Sequence, residues 1–170
     1  SSGQVIWRRK WASPERDVSY WGPFIEPALD GDYYVFCTLL KGYINSNYEP
    51  LLIKLSPSGA VRWQQTFSLP GTISGSIIDG AGGSDGSLFI VGQSGNETLY
   101  DSIKWIAEVD AEGNVVWAKR WSISDDGPWK LAVLSSGNLV AAGHTKMYAD
   151  NSQAAMLIEM TSRGELVSAR

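Results

Sequence analysis

One pattern recurs along this chain at a near-constant interval, and it constrains the fold more than any local propensity does. The segment Leu51-Leu52-Ile53-Lys54-Leu55-Ser56-Pro57-Ser58-Gly59-Ala60-Val61-Arg62-Trp63 returns as Trp105-Ile106-Ala107-Glu108-Val109-Asp110-Ala111-Glu112-Gly113-Asn114-Val115-Val116-Trp117. A third copy runs from Met156 to Ser168, and Ser2-Gly3-Gln4-Val5-Ile6-Trp7 matches the second half alone. The glycines Gly3, Gly59, Gly113 and Gly164 of these copies are 56, 54 and 51 residues apart. A second series, Gly31, Gly86 and Gly137, keeps the same phase with spacings of 55 and 51, and each member opens an apolar run. Six residues after them stand Cys37, Gly92 and Gly143.

Each period reads as four strands. The first covers Trp21–Leu29, Ile73–Ala81 or Trp129–Leu134, and the second Tyr33–Cys37, Leu88–Val91 or Leu139–Ala142. The third covers Leu51–Leu55, Ile103–Val109 or Met156–Met160, and the fourth Val61–Phe67, Val115–Trp121 or Leu166–Ala169. Turn glycines supply the positive φ of a tight hairpin, and β-branched and aromatic flanks favour strands. No stretch sustains a 3.6-residue apolar period, so helices should be absent or one turn long. Four antiparallel strands per roughly 50 residues describe a propeller blade. The expected fold is an all-β propeller segment: an extra strand over residues 4–11, then blades over 18–67, 72–121 and 126–170.

The pattern apolar-Ile-Lys-Leu-x-x-x-Gly-x-Val-x-Trp resembles the blades of secreted bacterial and archaeal repeat β-propellers. These are similar in turn to the tryptophan-docking blades of quinoprotein-like propellers. The best copies are Leu52–Trp63 and Tyr100–Trp117, the latter with Tyr100-Asp101 before its third strand. Cys37 departs from the pattern in place of a glycine, Ser168 in place of the tryptophan, and Ser56 and Thr161 in place of the aspartate present as Asp110. The chain has 8 tryptophans. Trp7, Trp63 and Trp117 share one repeat position, and Trp11, Phe67 and Trp121 follow four residues later, an even step that turns both rings to one face. Rings recurring in phase suit a recurring packing site between blades, with a sugar-stacking platform as the competing use. Trp21, Trp105 and Trp129 recur less regularly and are the tryptophans expected at the surface.

Composition removes much chemistry. At 170 residues and 44% hydrophobic residues the chain can bury a core without staples. One cysteine, Cys37, excludes an intrachain disulfide and a thiolate zinc site, and one histidine, His144, removes most His-based constellations. A net charge of −4 disfavours nucleic acid, Arg8-Arg9-Lys10 being the lone basic run. No apolar stretch is long enough to span a membrane, and no signal peptide is expected in this chain. Gly82-Gly83-Ser84-Asp85-Gly86 matches a nucleophile-elbow pattern, but it leads into a strand rather than a helix and reads as a hairpin turn. Asp30-Gly31-Asp32 and Asp125-Asp126-Gly127 could offer oxygens to calcium, yet neither fits a calcium loop. Glu26, Asp101 and Glu108 offer no acid pair that sequence can establish. No catalytic residue, metal site or cofactor is assigned.

The loops between second and third strands carry Tyr48, Tyr100 and Tyr148 together with Asn47, Asn96 and Asn151, a mixture of flat apolar area and amide hydrogen bonding that suits recognition. Asn96-Glu97-Thr98 is also a glycosylation acceptor pattern, which with the resemblance points outside the cytoplasm, to an extracellular or cell-surface location. Three blades leave two sheet faces uncovered, and propellers carry four to eight. The ring therefore closes either by self-association, a homodimer giving six blades, or with other blades of a longer chain. The leading expectation is a non-catalytic module for binding or assembly. A carbohydrate-binding, lectin-like propeller using the three tyrosines is the alternative for a glycan rather than a protein ligand. The resemblance adds a third, a fragment of a quinone-dependent oxidoreductase-like propeller.

Overall fold

The structure, a computed structural model, describes residues 5–8, 18–41, 47–67, 74–95, 102–121, 127–147 and 152–169. These residues form three four-stranded antiparallel sheets in which strand order follows the chain. The first sheet is β1 (Val18–Pro27), β2 (Tyr33–Lys41), β3 (Asn47–Leu55) and β4 (Val61–Thr66). The second is β5 (Ser74–Gly82), β6 (Leu88–Gly95), β7 (Ser102–Val109) and β8 (Val115–Arg120). The third is β9 (Gly127–Val133), β10 (Leu139–Met147), β11 (Ser152–Met160) and β12 (Leu166–Ala169). No helix occurs among the described residues. Each sheet is a meander with the form of a propeller blade.

The sheets repeat down to their irregularities. Gly31, Gly86 and Gly137 turn at φ of 82°, 85° and 84°, and Gly59, Gly113 and Gly164 at 76°, 94° and 71°, conformations that a side chain would strain. Every first strand carries a register shift opposite its second strand, and every fourth strand carries one beside Val61, Val115 or Leu166. The latter bulges place the extra residue (Arg62, Val116 or Val167) just before the repeat tryptophan position, increasing the local twist there. The second and third strands are longer than their apolar runs suggest. Polar residues such as Thr38 and Ser94 continue the ladders, because main-chain pairing does not end where hydrophobicity does.

The alternation along the strands sorts residues onto two faces. In the first blade Tyr34, Phe36 and Leu52 turn forward and pack on Leu88, Ile90, Trp105, Ala107 and Val109 of the second. In the second blade Phe89, Val91 and Ile106 turn forward and pack on Leu139, Ala141, Ile158 and Met160 of the third. The first strands β1, β5 and β9 touch in succession. The backward face of the first blade holds its own buried cluster of Cys37, Leu39, Leu51, Ile53 and Leu55. The forward face of the third blade carries Val140, Ala142 and Leu157 at the same ladder positions. Leu157 there is 48% exposed.

Two expectations need correction. Residues 5–8 form no strand. A fourth strand needs the free edge of a third strand, and β3, β7 and β11 are already paired on both sides. Trp105, expected at the surface, is fully buried. Its ring lies across from Gly92 in the β6–β7 ladder and fills the volume that the glycine leaves. The same trade explains Cys37, which faces the smaller Leu51 and so can carry a side chain. A Cβ at Gly92 would collide with the Trp105 ring and the Ser76 carbonyl. Gly92→Ala should therefore destabilise the fold by about 3 kcal/mol, measured by denaturant titration, whereas Cys37→Ala should change far less.

Candidate functional site

The repeat tryptophans form the most regular constellation in the molecule. Trp63 Nε1 on β4 donates to the Ala111 carbonyl of the second blade at 2.8 Å, and Trp117 Nε1 on β8 donates to the Ser162 carbonyl of the third at 3.1 Å. Each acceptor belongs to the turn between third and fourth strands, and each ring lies on that turn's glycine, Gly113 or Gly164. Trp7 does the same without a strand around it: Nε1 donates to the Pro57 carbonyl at 2.8 Å and the ring covers Gly59. Residues four positions further on join in, Phe67 packing at a tilt on Trp105 at 5.2 Å and Trp121 packing into the second junction. Trp11 lies outside the described residues. The positive-φ glycine thus does two things, turning the chain and leaving a flat seat for the indole.

The two junctions differ in charge. Beside the first, Lys54 bonds Asp30 at 2.7 Å and Arg62 bonds Asp32 at 3.2 Å, both pairs within the first blade, while Tyr34 Oη reaches across to donate to the Gly86 carbonyl of the second at 2.6 Å. The hydrogen bond from Lys54 holds the Asp30 carboxyl below its ordinary range. Burial works against the Lys54 ammonium, but Asp30 and Tyr34 together offset it and its pKa is raised. At the second junction Phe89 takes the place of Tyr34 and Glu108 that of Lys54. The result is a cleft of about 340 Å³ lined by Ser84, Asp85, Glu108, Ser136, Asn138 and Thr161 among others. Burial first, then the charge of Asp85, pushes the Glu108 carboxyl up, while Asp85, bonded by the Ser87 amide, is held down. Such a cleft can hydrogen-bond a small polar molecule.

A second charged group lies on the first strands. Asp79 on β5 accepts from the Leu131 amide at 2.9 Å and from Lys130 Nζ at 3.1 Å. Burial raises the Glu26 pKa, Asp79 adds to that, and Lys130 opposes it. Among the described residues no three Asp, Glu, His or Cys side chains converge as a metal site would require.

The structure sorts the residues singled out in the sequence. Tyr48 on β3 is 40% exposed, next to Asn47, while Tyr100, Tyr148, Asn96 and Asn151 lie outside the described residues, as do Asp101, Asp125 and Asp126. Gly31, Gly86 and Gly137 turn between first and second strands. Gly82 to Gly86 occupies the β5–β6 hairpin turn. Burial pushes the Cys37 thiol up to about 11, so it carries no thiolate at neutral pH. His144 stacks on Trp129 at 5.6 Å, and the ammonium of Lys104, almost fully buried, lies over the same Trp129 ring at 3.6 Å from its centre. Sequence reading misses this stack because Lys104 has no counterpart in the other two copies, where Pro50 and Ala155 stand.

Neither protein-family models nor curated proteins give a match to this sequence. Among solved structures the fold is similar to "endo-arabinase from Bacteroides thetaiotaomicron VPI-5482", with a TM-score of 0.50 and 15% sequence identity. The match covers 92% of this chain and 66% of that chain, so this chain spans less than two thirds of it. The likeness is one of fold, three propeller-type sheets in the same arrangement.

Two outcomes are expected at these sites. Trp63→Phe keeps the ring and loses the donor to Ala111, and should cost about 1 kcal/mol, against about 3–4 for Trp63→Ala, by thermal or urea unfolding. A carboxyl whose pKa is raised by folding favours the protonated fold, so the penalty is present above that raised value and absent below the unfolded one. Glu108→Gln should therefore stabilise the protein at pH 7, and its advantage should vanish as the pH falls to about 4 in a pH series of melting temperatures.

Proposed function

We propose that this chain is a non-catalytic β-propeller module that works by assembly, its ring completed by a second copy of itself to give six blades. The observation that carries this reading is the forward face of the third blade. Val140, Ala142 and Leu157 repeat the alternation of Tyr34, Phe36 and Leu52 and of Phe89, Val91 and Ile106, both of which are packed against a following blade. No blade among the described residues lies against the third set. An apolar sheet face with that patterning calls for a partner sheet. The neighbour that fits is a blade of the same repeat, and the first blade of another copy is one, with its backward face made of Cys37, Leu51, Ile53 and Leu55.

The carboxylates support a structural rather than a catalytic use. Asp30, Asp32, Asp79, Asp85 and Asp110 each accept a hydrogen bond or an ion pair that closes a turn or ties two strands. Such engaged groups hold the framework and leave little freedom for proton transfer.

Multi-angle light scattering tests the reading. The folded protein should show twice 18.5 kDa, and Leu157→Glu, a change at an exposed position, should return it to 18.5 kDa with its β-sheet circular dichroism unchanged. A folded parent chain at 18.5 kDa over micromolar concentrations would contradict it.

A further inference from the structure

We infer that residues 5–8 act as the fourth strand of the third blade of a second copy, taking the place of β12 on β11, so that two chains close their ring by exchanging strands. This rests on the self-assembly reading above and specifies its interface.

Three observations converge on it. Val5-Ile6-Trp7-Arg8 stands at the repeat position of Val61-Arg62-Trp63-Gln64, Val115-Val116-Trp117-Ala118 and Leu166-Val167-Ser168-Ala169. Trp7 is already docked as a fourth-strand tryptophan, on Pro57 and Gly59 of its own first blade, yet its backbone pairs with no third strand. Val5 and Ile6 beside it are 74% and 92% exposed. The third blade has the reciprocal defect. β12 places Ser168 where the other two fourth strands carry the docking tryptophan, so it cannot seat an indole on a following blade.

Exchange repairs both at once. The backbone of residues 5–8 gains a third strand, and the third blade gains a fourth strand with a tryptophan already seated on the next blade. One ladder is broken and one of the same kind is formed, so the net gain is the tryptophan dock spanning the two chains together with cover for Val5 and Ile6. With two chains every turn of the Gly59, Gly113 and Gly164 type then holds an indole, and every indole belongs to a complete blade.

The register gives the test. In β11 Ile158 faces Ala169, as Ile53 faces Gln64 and Ala107 faces Ala118, so Arg8 of one copy should face Ile158 of the other. Ala107 shows that this position accepts a small side chain. Two chains, one carrying Arg8→Cys and one Ile158→Cys, both with Cys37→Ala, are mixed, briefly unfolded and refolded together, and oxidised. A disulfide-linked pair should appear on a non-reducing gel only in the mixture, while Ile158→Cys with Ala169→Cys in a single chain should stay reduced. Val5→Cys with Met160→Cys, at the place of the Met160 and Leu166 pair, repeats the test at a second position. A two-chain mass with the 158–169 bond formed within each chain overturns the exchange and leaves the assembly reading standing. A single-chain mass removes both.

Discussion

A single hydrogen bond, from a tryptophan indole to the carbonyl of the next sheet's turn, orders this molecule. Flat sheets packed face to face have no inherent stop against sliding, since apolar contact is non-directional. The donors on β4 and β8 and the glycine-backed carbonyl on the following turn supply the missing direction. The bulge that brings Arg62, Val116 or Val167 out of register sits immediately before that tryptophan position, so the strand twists where the ring must reach across. Trp7 shows how strong the preference is: it takes its seat on Gly59 without a blade of its own.

Around this shared geometry the two junctions have diverged. The first is crossed by the Tyr34 hydroxyl, which reaches the Gly86 carbonyl, beside two ion pairs that lie within the first blade. At the second, loss of that hydroxyl in Phe89 and replacement of the lysine by Glu108 accompany a polar cleft where the first junction has the Tyr34 bond. The packing core beneath is alike in both, which is why the fold tolerates the difference: apolar faces and tryptophan docks hold the blades, and the charged rim is free to vary.

Much of the architecture was legible because its constraints are local and periodic. Turn glycines need positive φ, and strand faces alternate, so Gly31, Gly59 and their counterparts mark the first and third hairpins of each blade in the sequence. What sequence could not supply were relations between distant residues. Trp105 looked like a surface ring because its partner, Gly92, is identified only once the β6–β7 register is fixed. Within the strand read over residues 4–11, the described residues 5–8 carry the right pattern but no neighbouring edge that would make them a strand. The polar cleft is invisible for the same reason: Glu108 and Asp85 meet across a hairpin stack, not along the chain. The tyrosine-bearing loops gave only composition, and of them Tyr48 is the one whose ring can be placed.

The docking of Trp7 is the point on which the assembly account turns, and hydrogen exchange at the indole nitrogens reads it directly. With the tryptophan indole N–H resonances assigned, Trp7 should exchange as slowly as Trp63 and Trp117 in the native protein. If Trp7 exchanged at the rate of a free indole while Trp63 and Trp117 stayed protected, the seat on Gly59 would be empty in solution, and the account of how these blades are joined would fail at its first link.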